Sequence, residues 1–172
     1  MKARTEDFDL AGLRLSPGEG RHIELAVPIG ALVLGGERYE IRPALVPVAL
    51  DVSRMVGGGY ALRLCLQAQL VGPCMRCLQE CASTVAVDSR EVDRPGSGEE
   101  LQSPYVREQQ LDLSDWARDA LALSLPPKVL CSESCAGLCP VCAADLNEAG
   151  PEHHHERPPD PRLQALRELK FD

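Results

Sequence analysis

The chain has 172 residues, a net charge of −8, and 44% hydrophobic but 3% aromatic residues. That length fits one domain, or one domain with a small appended module, and is enough to bury a core. The acidic balance, with three lysines, excludes a protein that grips nucleic acid chiefly by neutralising phosphates, and the shortage of aromatics leaves few platforms for stacking bases.

The opening MKARTEDFDLAGLRL has no apolar h-region and no cleavage site, which predicts a cytoplasmic protein. No later run approaches the ~18 apolar residues of a membrane span. Phe8, Leu10, Leu13 and Leu15 alternate weakly, as in a short edge strand. His22 to Pro28 reads as a strand with Ile23, Leu25 and Val27 on one face and His22 on the other, where it is a surface residue. Gly30, Gly35 and Gly36 punctuate a loop.

Two segments then show a clean period of two: Val46, Val48, Leu50 and Val52, and Tyr60 through Leu70 on even positions. One polar face against one apolar face predicts half-buried antiparallel strands, with Gly57-Gly58-Gly59 reversing the chain. Pro47 has no N–H to give, which predicts an edge or a bulge there. Cys65 falls on the polar face as an idle thiol. Cys74-Met75-Arg76-Cys77 ends the second strand, and Ala82 to Val92 gives another with Val85 and Val87 inward. A Cys-x-x-Cys at a turn between strands suits a metal knuckle or a tight turn, not a redox dithiol, which needs a helix N-terminus. Cys81 receives no role.

Residues 93–110 read as a flexible acidic loop broken by Pro95, Gly96, Gly98 and Pro104. Leu111 to Leu125 is predicted as an amphipathic helix capped by Asp112 or Ser114, with Leu113, Trp116, Ala120, Leu121 and Leu123 as its apolar stripe and Pro126-Pro127 as its stop.

Cys131 to His155 holds four of the eight cysteines and three of the four histidines. Disulfides are rare in the cytosol, so this density predicts structural Zn²⁺. Cys139-Pro140-Val141-Cys142 is a short knuckle that can turn two sulfurs to one ion. Cys131 and Cys135 precede it, and His153 and His155 follow, giving six candidates for four positions. The favoured set is Cys131, Cys135, Cys139 and Cys142. The alternates are Cys139 and Cys142 with His153 and His155, or Cys74 and Cys77 reaching across the fold. Asp160-Pro161 then starts a short terminal helix over Arg162 to Lys170. The predicted architecture is α+β: an antiparallel sheet or partly open barrel covered by one helix over residues 1–127, then a zinc-binding module and terminal helix over 128–172.

With these pieces placed, the chain resembles the YceD family, also known as domain of unknown function 177. The resemblance rests on Cys74-Met75-Arg76-Cys77-Leu78, on the leucine-rich helix running into proline, on Cys131 through Cys142 with Leu146-Asn147-Glu148 after it, and on Asp160-Pro161-Arg162 with Leu163 and Leu166. Family tails commonly carry Cys-x-Cys where this chain has His153 and His155, and a glycine often stands where it has Ala143. The resemblance implies a non-enzymatic factor in accumulation of large-subunit ribosomal RNA, with a large-subunit precursor, a ribosomal protein or the RNA itself as partner, and no membrane or small-molecule substrate. Arg76 and Arg162 are the candidate residues for a binding surface, with capping a turn or pairing with an acid as the equal alternative. No catalytic motif is present; the rivals are a metal hydrolase using the histidine run and a switch that exchanges zinc for disulfides.

Overall fold

The computed structural model describes residues 6–96, 98 and 101–155. The main sheet is antiparallel and six-stranded: β2 (Gly20–Val27), β3 (Leu32–Leu34), β4 (Glu37–Arg42), β5 (Val46–Arg54), β6 (Tyr60–Pro73) and β7 (Glu80–Asp93). At its centre lies β6. Along one side it pairs first with β5 (Tyr60↔Arg54 to Leu66↔Val48) and then with β4 (Gln69↔Arg42 to Val71↔Glu40); along the other it pairs with β7 for its whole length. A smaller sheet joins β1 (Asp7–Asp9), β9 (Gln110–Asp112) and β8 (Val106–Arg107).

The period-two pattern works as expected because alternate side chains of a strand point to opposite faces. Val46, Val48, Leu50 and Val52 of β5 and Leu62, Leu64, Leu66, Ala68 and Leu70 of β6 are all buried in one core. On the opposite face the register sets His22 beside Asp51, Asp51 beside Arg63, and Arg63 beside Arg90. His22 Nδ1 lies 2.6 Å from Asp51, and Arg63 grips Asp88 with two bonds of 2.8 and 2.7 Å.

Helix α1 (Leu113–Leu123) follows β9 without a break. Asp112 caps it, its carboxylate accepting the Asp115 amide at 2.9 Å. Leu113, Trp116, Ala117, Ala120 and Leu121 form its buried stripe. The helix reaches the sheet at two of its three outer strands: Ser114 Oγ donates to the Pro28 carbonyl beyond β2 (2.6 Å), and Trp116 Nε1 donates to Ser89 Oγ of β7 (3.1 Å). The helix therefore covers the core between β2 and β7, and the α+β class with one covering helix stands.

Four local expectations are corrected or refined. Leu123 is 88% exposed although it falls only about 20° around the helix from buried Trp116: it is the last residue of the helix, beyond the part that packs on the core. Ala117 takes its place. β5 is not an edge strand, since it lies between β2 and β6, but Pro47 precedes the first β6 partner, Val48, and so is paired on the β2 side alone, a local edge without a bulge. The glycine-punctuated stretch is a hairpin, with Gly35-Gly36 at positive φ as the two-residue turn between β3 and β4. The second half of the acidic stretch is ordered against the core: Ser103 is buried, Tyr105 stacks on Trp116 at 6.3 Å, and β8 follows. The predicted terminal helix over Arg162 to Lys170 lies outside the described residues. Among those described, no helix is long and apolar enough to cross a membrane.

Candidate metal centres

The β6–β7 turn and the chain after α1 carry the same backbone device twice. At the turn, the Cys74 amide donates to Gln79 O (2.8 Å), the Leu78 amide to Cys74 O (3.0 Å), and the Arg76 amide points at Cys74 Sγ (3.5 Å). Sixty-five positions later the Cys139 amide donates to Ala144 O (2.8 Å), the Ala143 amide to Cys139 O (2.9 Å), and the Val141 amide points at Cys139 Sγ (3.4 Å). The residue after each second cysteine, Leu78 and Ala143, is left-handed at φ 62° and 59°. Each pair is thus a knuckle with two sulfurs on one side and amides aimed at the first.

Each knuckle is completed by a second pair. Cys74 and Cys77 meet Cys131 and Cys135, while Cys139 and Cys142 meet His153 and His155; in each group the ligand atoms lie within 4.8 Å of one another. The favoured set of Cys131, Cys135, Cys139 and Cys142 is therefore not the one that the fold brings together. A fully local set would need both pairs to converge within a dozen residues, whereas the Cys131–Cys135 segment instead lies against the hairpin turn. The Met75 amide donates to Val129 O (2.9 Å), the Leu138 amide to Arg76 O (3.2 Å), and Arg76 Nη1 to Cys135 O (2.7 Å). Gly137, at φ +79°, passes so close that an added Cβ would stand 3.2 Å from Arg76 O.

The spacing fits zinc. Zinc–sulfur bonds of about 2.3 Å in a tetrahedron put sulfurs about 3.8 Å apart; Cys74 Sγ is 3.8 Å from Cys135 Sγ, and Cys77 Sγ 3.6 Å from Cys131 Sγ. Mixed sulfur–nitrogen edges come to about 3.6 Å with zinc–nitrogen bonds of about 2.0–2.1 Å. Cys142 Sγ lies 3.4 Å from His153 Nε2 and 3.3 Å from His155 Nε2, with the two nitrogens 3.1 Å apart. His154 turns away, its Nδ1 at 2.8 Å from Glu152 O.

Backbone amides and crowding push the thiols in opposite directions. Burial raises Cys74, but the amides of Cys77, Arg76 and Cys131 together outweigh it and bring the thiol down to about 6. The amides of Cys142 and Val141 bring Cys139 to about 6 against the effect of burial. At Cys77 the Gln79 amide favours the thiolate, yet burial and the neighbouring sulfurs of Cys74, Cys131 and Cys135 push it up to about 12. Thiolates so crowded cannot all ionise without a cation among them. Burial first, then the Cys74 and Cys77 sulfurs, raises Cys81, which stands beside the four-sulfur group without belonging to it. Cys65 lies on the outer face across from Asp88.

Asn147 had no role in the sequence reading. Its side chain accepts the Ala136 amide (2.8 Å) and donates toward Cys135 Sγ (3.6 Å). The helical turn α2 (Leu146–Ala149), capped by Asp145, holds it there. The Leu146-Asn147-Glu148 motif was the available signal. Arg76 is exposed, yet its guanidinium is engaged on Cys135 O; Arg162 lies outside the described residues.

A mostly antiparallel α+β fold with one covering helix and two Cys/His groups that could hold a metal ion is what the chain presents. This chain belongs to the YceD family, described as large ribosomal RNA subunit accumulation protein, whose match covers residues 62–170. It is 34% identical over 132 residues to uncharacterized proteins of Mycobacterium bovis and Mycobacterium tuberculosis, an alignment covering 73% of this chain and 62% of theirs. The chain thus spans less than two thirds of the length of those relatives. No solved structure matches it.

Proposed function

We propose that the protein is a non-enzymatic cytoplasmic factor that supports accumulation of large-subunit ribosomal RNA during subunit assembly, with zinc bound by its knuckles as a brace. The observation that carries this reading is the family match over residues 62–170, which takes in both knuckles and the covering helix. Bound zinc would supply cross-linking between chain segments. Each group offers four protein ligands, the number that fills a structural zinc, which supports a brace over a hydrolytic centre that needs an open position.

The acidic chain suits a basic ribosomal protein as the first contact, with RNA touched through local arginines. Sucrose-gradient fractionation with pull-down of the tagged full chain tests this: large-subunit precursors or their proteins should be recovered with it, and mature 23S-type RNA should fall when it is depleted. Recovery of neither, with unchanged ribosomal RNA, would sink the proposal.

A further inference from the structure

The two ligand groups differ in how they are built into the fold. In the four-sulfur group Cys74, Cys77 and Cys135 are no more than 3% exposed, and its halves come from chain segments 54 residues apart. Cys131 is exposed, and freeing an ion from the other three sulfurs would take the hairpin turn away from the 129–138 segment. That means breaking the amide bonds of Met75 and Leu138 and the Arg76 contact to Cys135 O. Asn147 adds a donor to Cys135 Sγ.

The Cys139–His155 group is local. Cys142 and His155 are exposed, His153 is half-buried, and all four ligands fall within residues 139–155. The histidine arm is held by one backbone bond among the described residues, from the His153 amide to Gly150 O at 3.3 Å. Ligating imidazoles are ordinarily fixed by a bond from the second ring nitrogen, and losing that partner weakens metal binding about 10- to 100-fold. Among the described residues neither His153 nor His155 has such a partner. Both rings can swing away while Cys139 and Cys142 stay in their knuckle.

We propose that the chain holds two zinc ions of unequal permanence: a locked one between Cys74, Cys77, Cys131 and Cys135, and an exchangeable one between Cys139, Cys142, His153 and His155. This rests on the zinc reading above but not on the ribosomal one. The locked ion ties the hairpin to the following segment. The exchangeable ion orders only the last stretch of the described chain, so metal supply would set the shape of that stretch without unfolding the sheet.

The test is zinc release from the purified full chain. Elemental analysis should give two zinc ions per chain, and an excess of a chromophoric chelator should remove one at least about 10-fold faster than the other. His155→Ala should abolish the fast phase and leave the slow ion, with the near-ultraviolet circular dichroism of Trp116 unchanged. Cys77→Ser should remove the slow ion; should that variant not fold, His155→Ala decides alone. Release of both ions in one phase, one ion per wild-type chain, or loss of the slow ion from His155→Ala would overturn the proposal. A folded chain that binds no zinc would remove the zinc reading itself.

Discussion

Arg76 reaches across from the β6–β7 turn and donates its Nη1 to the carbonyl of Cys135, at 2.7 Å. A charged donor on a carbonyl is worth about 1.5 to 3 kcal/mol when sheltered. The exposed position of Arg76 argues for the lower end. Arg76→Ala should lower the urea midpoint by an amount equivalent to ~1.5 kcal/mol. Zinc content should not change, because Arg76 is not a ligand. Loss of zinc without loss of stability would mean that the arginine acts on the metal instead.

Ala143 sits at φ 59°, where a Cβ is crowded by the adjacent carbonyl. Ala143→Gly should relieve roughly 1–2 kcal/mol of left-handed strain, offset in part by the extra chain entropy that Gly loses on folding. Slower loss of the faster zinc in the chelator assay would report it, since Ala143 closes the Cys139–Cys142 knuckle. Ala143→Val should act in the opposite direction.

Gly72 is filled from above by a ring. A Cβ there would run into Tyr39 Cδ1, and Tyr39 is fixed by its hydroxyl, which donates to Pro73 O at 2.8 Å. Gly72→Ala should therefore destabilise by about 1–3 kcal/mol through overpacking. Pairing it with a smaller residue, Tyr39→Leu, should recover part of the loss in thermal unfolding. Equal and additive losses would show that the two positions do not share the strain.

The Arg63 bonds hold the Asp88 carboxyl down at about 2 against an ordinary 3.8. A folded pKa below the unfolded one contributes stability that is fully present above about pH 4 and is lost as the pH falls toward 2. An NMR titration should show Asp88 ionised through pH 3. In Arg63→Ala it should titrate closer to 3.8. A normal titration in the wild type would show that the pair does not persist in solution.

Most of the sheet was readable from residue alternation, because β5 and β6 each present one wholly apolar face. The hairpin of β3 and β4 escaped because three-residue Leu32–Leu34 is too short to show a period, although Gly35-Gly36 is a fitting two-residue turn. Short spacing favoured joining Cys131 and Cys135 to Cys139 and Cys142. What the fold does instead depends on Met75 meeting Val129 and Leu138 meeting Arg76, contacts set by where the segment after α1 returns to the sheet. No local spacing contains that information. The two Cys-x-x-Cys motifs were visible. Their equivalence emerges only from the matching bonds around Cys74 and Cys139.

The split between Cys77 and Cys131 sets an order of events during synthesis. At about 5–20 residues per second, roughly 3 to 11 s pass between the two codons. For that interval the nascent hairpin presents two thiols with half a coordination shell, open to the wrong metal or to oxidants. With zinc bound as proposed, the cross-link forms only when the later cysteines arrive, so maturation of the hairpin is timed by translation of a segment that forms none of its strands.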